Sequence, residues 1–455
     1  MSDTCHTTVP HTPHSNDTRH SSDPRHGIDD IARLLDGETY RHGNPFALWR
    51  WMRENAPVVR HEPGVFPAFW SLTRFDEVKR VLRDAETFSS SSGILLRPLA
   101  QGEDPGSNRT LALSDAPRHQ ALRGAVAGWF APRNLRRLSD FLDSAARAAV
   151  RSAVEAGRID FVDDVAAKLP LEVVCSFLGI PDEDRPFLVE WSTDAFCAGT
   201  AEDRSIAHLQ ILDYFGELVE RRRERPGEDL VSVLATLTYE GELLPVDEVV
   251  LNCDNLLVGG TENVRLAMSG GMLALLRNPD QLALLRGDFD SLAGTAIDEI
   301  LRWTSSATHI MRRATRNVEL GGRLIRKGEL VVCWLTSVDR DPAHFTDPDV
   351  FDIRRGPNRH LALGAGPHYC VGRQLAKLEI QAVLREFLAQ VDEVTLDGEP
   401  EYLDSIVVNG LRSLPLRLTP AGPVPVRESI GNGPEDHPCC RNRSGSTALS
   451  AKVEP

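Results

Sequence analysis

Long apolar runs are missing from this chain of 455 residues. A helix that crosses a bilayer needs about 20 consecutive, mostly apolar residues. No stretch approaches that, so no membrane anchor is expected. The N-terminus, MSDTCHTTVPHTPHSNDTRH, also lacks the basic-then-apolar order of a secretory leader, so a cytoplasmic protein is expected. Cysteine is scarce and scattered. Of eight residues, Cys5, Cys175, Cys197, Cys253, Cys333 and Cys370 stand apart and only Cys439 and Cys440 are adjacent. That excludes a disulfide framework and leaves no paired Cys-x-x-Cys element for structural zinc. Positive charge is short as well: 51 Lys and Arg face 66 Asp and Glu, a formal net charge of -15, which argues against a nucleic-acid partner.

What is present is a large, mostly helical core between two polar tails. Residues 1–27 are rich in His, Ser, Thr, Asp and Pro and are expected to be disordered, as is 422–455. The tail histidines His6, His11, His14, His20 and His26 are irregularly spaced and read as polar residues rather than metal ligands. Residues 28–421 are expected to form one domain. Helical periodicity runs through 45–55, 75–84, 117–127, 134–156, 162–179, 183–196 and 204–224, with a loop over 89–108. Strand-like pieces are FWSLTRF (69–75), VELGG, GELVVCWL and LPLRLTP. The fold class expected is mainly α with a minor β-sheet region.

The longest helix expected starts at Pro245 and runs to about Arg277. Proline suits a first turn, Asp247 and Glu248 suit the positive helix end, and Asn278-Pro279 stop it. Its middle reads LLVGGTENV. Two interior glycines, Gly259 and Gly260, cost about 1 kcal/mol each relative to Ala. They serve either the close approach of a neighbouring helix or a local opening over a flat ligand, and the first is the simpler reading of the segment alone.

Around Cys370 the sequence is RHLALGAGPHYCVGRQLAKLEIQAVLREFL. Gly364, Gly366 and Gly372 bracket the cysteine. An amphipathic helix follows, with Ala376, Ile380, Val383, Phe387 and Leu388 on one face. A glycine loop that delivers a cysteine to a helix N-terminus places the sulfur where free N–H groups and the helix dipole favour a thiolate, the form a metal requires. Cys175, Cys197, Cys253 and Cys333 read as small buried apolar residues. A zinc site from Cys370, His368 and His360 lacks a fourth ligand.

The stretch Leu363–Gly372 resembles the haem-binding loop of the cytochrome P450 family, Phe-Gly-x-Gly-x-His-x-Cys-x-Gly, and departs from it only at Leu363. Other segments resemble the family in order. EILRW carries Glu299 and Arg302 at the family's Glu-x-x-Arg, expected as a buried ion pair that Arg355 can join. SDAPRHQALRG carries His119 and Arg123, MRRATRNVELGG carries Arg312, and GLRSLPLRL (410–418) resembles the C-terminal hairpin of bacterial members. The resemblance spans about residues 28–420.

The resemblance implies a triangular helical prism around haem b, with Cys370 as the iron ligand and the propionates held by His119, Arg123, Arg312 and His368. It implies a monooxygenase that uses dioxygen to hydroxylate or epoxidise a small organic molecule of secondary metabolism. Ring formation or oxidative coupling, or a haem sensor without turnover, are the alternatives. Gly259, Thr261, Glu262 and Asn263 fall at the family's distal Ala/Gly-Gly-x-Asp/Glu-Thr. The acid is Glu262, but Asn263 replaces the threonine, and a carboxamide cannot relay a proton as a hydroxyl does. A substrate hydroxyl or a fixed water is then expected to complete the proton path. Leu95, Leu96, Asn255, Gly259, Thr308 and Val408 are expected in the substrate pocket. Electrons are expected from a ferredoxin and its ferredoxin reductase, docking on basic residues such as Arg133, Arg136, Arg137, Arg359 and Arg373. A monomer is expected.

Overall fold

The computed structural model describes residues 28–197 and 201–422. The tail 1–27, and 422–455 except for Gly422, lie outside the described residues. About 53% of the chain is helical, which sets the class as mainly α with small sheets.

The organising element is the helix Val246–Arg277, 32 residues and so about 48 Å long. Pro245 precedes it, Asp247 and Glu248 occupy its first turn and Arg277 its last, so each charge lies at the helix end that favours it. Helices Lys168–Leu178, Ala201–Glu224, Phe289–Thr304 and Arg373–Gln390 pack around it. Their apolar faces meet in one large core that includes Leu178, Phe215, Leu257, Leu273 and Phe387.

Two of the expected helices are divided. The span 134–156 is a short helix Pro132–Leu135, a 3-10 turn Arg136–Leu138 and the helix Ser139–Ala156. Ser139 donates its hydroxyl back to the Arg136 carbonyl at 2.9 Å, a local bond that competes with the helical ladder. The span 162–179 opens as a π-helical turn, Val162–Ala166, before Lys168–Leu178. Pro170 has no N–H to give to the carbonyl four residues earlier, so regular α geometry cannot run through that point.

The main sheet has five strands in the order Val58–His61, Phe69–Leu72, Leu330–Trp334, His309–Ala314, Phe88–Ser89. Leu330–Trp334 is buried along its whole length, as a central strand made of LVVCW should be. It runs antiparallel to His309–Ala314, with Val331 opposite Arg312. The expected hairpin within 410–418 does not form. Leu411–Ser413 pairs with Glu401–Tyr402, whereas Pro415–Pro420 pairs with Val391–Leu396 and Arg158–Asp160. No helix among the described residues is long and apolar enough to cross a membrane.

Candidate active site

The loop before the helix Arg373–Gln390 sets the position of Cys370. Gly364 and Gly366 adopt φ of 73° and 72°, in the left-handed region that glycine enters without strain. At Gly366 space also forbids a side chain, because a Cβ would sit 2.4 Å from the Leu82 carbonyl oxygen and 2.8 Å from Arg83 Cα. Gly372 differs: its φ is ordinary and a Cβ would meet only Phe130, at 3.8 Å, so neither strain nor space explains it. The Cys370 N–H donates to the Leu363 carbonyl at 3.0 Å. Arg123 donates to the Tyr369 carbonyl at 2.6 Å, and Arg373 to the Cys370 carbonyl at 3.1 Å. Burial raises the Cys370 thiol pKa above its ordinary value. The backbone N–H of Gly372, the guanidinium groups of Arg373 and Arg123 and the backbone N–H of Arg373 oppose that rise without cancelling it.

Next to this loop lies a group of nitrogen bases with few anions. The rings of His119 and His368 lie against each other, tilted by 41°, with centroids 4.0 Å apart. Arg312 is buried and gives one Nη1–H to the Met311 carbonyl at 2.8 Å. Desolvation pushes its pKa down to about 10, and among the described residues no carboxylate lies within salt-bridge distance of it. His368 is pushed down to about 3 by burial, Arg312, His119 and Arg123, and approaches the Ser90 hydroxyl at 3.2 Å. The Nε2 of His119 is buried without a partner. Buried cations and donors in this state lack a counter-anion, which is the condition a bound dicarboxylate relieves.

Behind the loop Glu299 and Arg302, both fully buried, pair bidentately at 2.7 and 2.8 Å. Glu299 also accepts from Arg355 Nε (3.1 Å), Asn358 Nδ2 (3.0 Å) and the Asp352 N–H (3.0 Å). Arg302 caps the Asp339 and Pro348 carbonyls, each at 2.8 Å. The pair therefore ties the helix Phe289–Thr304 to the 339–358 segment.

On the long helix the two glycines divide the two roles considered for them. A Cβ on Gly260 would lie 2.7 Å from Val174, so Gly260 serves close packing, whereas one on Gly259 would meet nothing within 4 Å. The helix is unbroken through both, so the local opening considered for this segment is not seen. Thr261 donates its hydroxyl to the Leu257 carbonyl at 2.8 Å, an internal bond that commits it to the helix. Glu262 is not a solitary acid: Arg265, one turn on and equally buried, pairs with it at 2.5 and 3.0 Å. The i, i+3 spacing of Glu262 and Arg265 is the sequence signal for this pair. Asn263 accepts from the Ser306 hydroxyl at 3.1 Å, and the Ser306 backbone carbonyl accepts the Asn409 backbone N–H at 2.7 Å.

The segments expected to wall the pocket meet at these residues. Val408 bridges to Ala307, Thr308 N–H donates to Val407 O at 2.9 Å, and Met311 N–H donates to Ile94 O at 2.7 Å. Leu95, Asn255 and Val408 are half-buried. Thr308 is fully buried, with its hydroxyl unpartnered. Leu96 is 2% exposed and packs in the core with Trp49, Met311 and Trp334.

On the other side of the Cys370 loop a groove of about 450 Å³ is lined by Lys79, Arg83, Arg359, Lys377, Asp298 and Tyr369, among others. Lys79, Arg83 and Lys377 are basic residues that sequence reasoning missed. Arg133, Arg136 and Arg137 are exposed but do not line this groove.

Three comparisons bear on this site. The family model described as Cytochrome P450 matches residues 186–401. Cytochrome P450 NovI of Streptomyces niveus is 36% identical over 379 residues, covering 82% of this chain and 92% of the relative. A steroid C26-monooxygenase of Mycolicibacterium smegmatis is 35% identical over 403 residues, 86% and 97% of the two chains. Among solved structures, P450 OxyD, involved in the biosynthesis of vancomycin-type antibiotics, superposes with a TM-score of 0.79 at 35% identity, covering 85% of this chain and 99% of its own.

Proposed function

The chain belongs to the cytochrome P450 family and is a haem-thiolate monooxygenase, and on that footing we propose that it oxidises a sizeable, largely apolar organic molecule of secondary metabolism, by hydroxylation or epoxidation. The observation that carries the site assignment is the juxtaposition of Cys370, at the start of a helix, with His119, Arg123, Arg312 and His368, of which His119 and Arg312 are buried without a paired carboxylate. These residues fit haem, whose iron takes one thiolate and whose two propionates are such anions. Cys370 would hold the iron and His119, Arg123, Arg312 and His368 would hold the propionates, on a loop whose turns depend on Gly364 and Gly366.

Haem bound through a thiolate supplies dioxygen activation, because the sulfur's electron density favours cleavage of the O–O bond. The chain's own residues then bind the substrate, exclude stray water and hold protons in place. The half-buried Leu95, Asn255 and Val408, with Gly259 and Thr308, form the pocket wall. Glu262 is held by Arg265 as the fixed acid of the distal helix. With Oδ1 of Asn263 engaged by Ser306, its carboxamide presents N–H donors elsewhere. Donors of this kind orient an oxygen atom or a water but do not pass a proton on. Thr261 is committed to the helix carbonyl of Leu257 and does not take the relay role. The last proton therefore comes from a substrate hydroxyl or from a water that these donors fix.

The substrate class is supported by the relatives. One is named for the oxidation of a steroid, and one structure is titled for antibiotic biosynthesis. Electrons come from a ferredoxin, reduced by its ferredoxin reductase, that docks at the groove of Lys79, Arg83, Arg359 and Lys377. The test begins with the purified holoprotein, reduced and exposed to carbon monoxide. A red-shifted Soret band is expected for the wild type and its loss for Cys370→Ser; an unchanged band in that variant means that the iron is held elsewhere. Mass analysis of the product formed with an electron donor then separates the reactions. Gain of one oxygen supports the proposal, and loss of two hydrogens identifies ring formation or coupling instead.

A further inference from the structure

His309 opens the strand His309–Ala314 and is completely buried. Both of its ring nitrogens are used. The Leu96 N–H donates to Nε2 at 2.9 Å, and Nδ1 lies 3.0 Å from the Ile406 carbonyl oxygen. A backbone N–H can only donate, so Nε2 carries no proton. The proton is then on Nδ1, which donates to Ile406 O. The ring stands edge-on against Trp334, 5.1 Å between centroids. Burial pushes the imidazole pKa down to about 4, so this one tautomer persists through neutral pH. A second proton would set an N–H on Nε2 against the Leu96 N–H.

The two partners belong to different stretches of chain. Leu96 follows Ile94 and Leu95, and Ile406 precedes Val407 and Val408. Neighbouring backbone bonds hold the same two stretches to the same strand, from Met311 N–H to Ile94 O and from Thr308 N–H to Val407 O. His309 lies between them as the one side chain seen to bond to both. An imidazole suits this task because its donor and acceptor are rigidly opposed on one small ring. We propose that His309 is a positioning residue that fixes the separation of the 94–96 and 406–408 segments and thereby sets the size of molecule that the substrate pocket admits. The inference rests on the reading of those segments as pocket walls.

His309→Phe keeps an aromatic ring of similar volume but removes both bonds. The Leu96 N–H and Ile406 O are then buried without partners, and buried peptide groups in that state move to find them. His309→Gln retains one donor and one acceptor on a flexible stem. The measurement is equilibrium binding of two nitrogen ligands to each holoprotein, read from the Soret shift. Imidazole is small enough to be indifferent to the walls, whereas clotrimazole, a triaryl-substituted imidazole, has to fit between them. For His309→Phe the Kd for clotrimazole is expected to change by roughly tenfold, with that for imidazole within about twofold, and His309→Gln is expected to lie between wild type and Phe. Equal changes for both ligands would show a general loss of stability, and no change for either would show an ordinary core histidine; each overturns the proposal. If His309→Phe fails to hold haem, the same ratio in His309→Gln decides. A wild-type protein that shows no Soret shift even with imidazole contradicts the haem reading itself, a failure distinct from that of the His309 assignment.

Discussion

The Ser306 hydroxyl donates to the Asn263 carboxamide oxygen across 3.1 Å, tying the middle of the long helix to the turn that leads into the strand His309–Ala314. This bond orients the residue that stands where the family has threonine. It leads to a prediction in two variants. Ser306→Ala frees the carboxamide to rotate, and the fraction of consumed dioxygen that appears in product is expected to fall while stability drops by only about 1 kcal/mol. Asn263→Thr is expected to give no gain in that fraction with the native substrate. Product yield against peroxide release measures both, and a large rise for Asn263→Thr would mean that Asn263 is not adapted to the chemistry.

Glu299→Ala leaves Arg302 buried with its carboxylate gone. Loss of one member of a buried pair costs about 3–5 kcal/mol, and here the 352–358 segment is released at the same time. A lower denaturation midpoint in urea and poor recovery of holoprotein are expected. Glu299→Gln, which keeps an acceptor but not the charge, is expected to be less damaging.

Lys79 and Arg83 are one helical turn apart and line the groove on the Cys370 side. Reversing both to Glu is expected to slow reduction by a ferredoxin by roughly tenfold at low ionic strength and by much less at high salt. Stopped-flow reduction under carbon monoxide at several salt concentrations measures this. Equal rates at low salt would remove the docking assignment.

His208 on the helix Ala201–Glu224 approaches Asp254 on the long helix at 3.3 Å, and that hydrogen bond raises the histidine pKa above its ordinary value. A raised folded-state pKa stabilises the protein below the unfolded value of about 6.5, and the benefit is lost as pH rises through the folded value. Relative to His208→Gln, the wild type is expected to lose stability as pH rises above about 6.5. The effect is small because His208 is 47% exposed and screened by water. Paired urea titrations across that range provide the check; a difference that grows with pH has the wrong sign.

The parts of this molecule that could be read from the sequence are the local ones. The Cys370 loop and its helix lie within thirty consecutive residues, and the ends of Val246–Arg277 are marked by Pro245, Asp247, Glu248 and Asn278-Pro279. The parts that could not be read depend on tertiary approach. Nothing near Lys79 or Arg83 announces that their helix lies beneath Gly366, and Asn263 and Ser306 are 43 positions apart. His309 stood in a region expected to line the pocket, but its partners Leu96 and Ile406 come from both directions along the chain. Leu96 was expected in the pocket wall from the family resemblance of its loop. The resemblance cannot reveal that its side chain packs toward Trp49 and Trp334. The family resemblance supplied the roles of His119, Arg123 and Arg312, which as isolated residues on a helix or strand would have passed for ordinary polar surface.

The contact beneath Gly366 bears on how fast electrons can arrive. Tunnelling rates fall steeply with each added ångström between donor and acceptor. A mount that yielded under the donor's weight would make the rate wander from one encounter to the next. Here the cysteine loop rests directly on the peptide of Leu82 and Arg83, with no room for so much as a methyl group between them. For a donor docked at the groove proposed above, the helix that carries Lys79 and Arg83 and the loop that carries Cys370 are in direct backbone contact, so the path from that surface to the sulfur crosses no intervening side chain at this point.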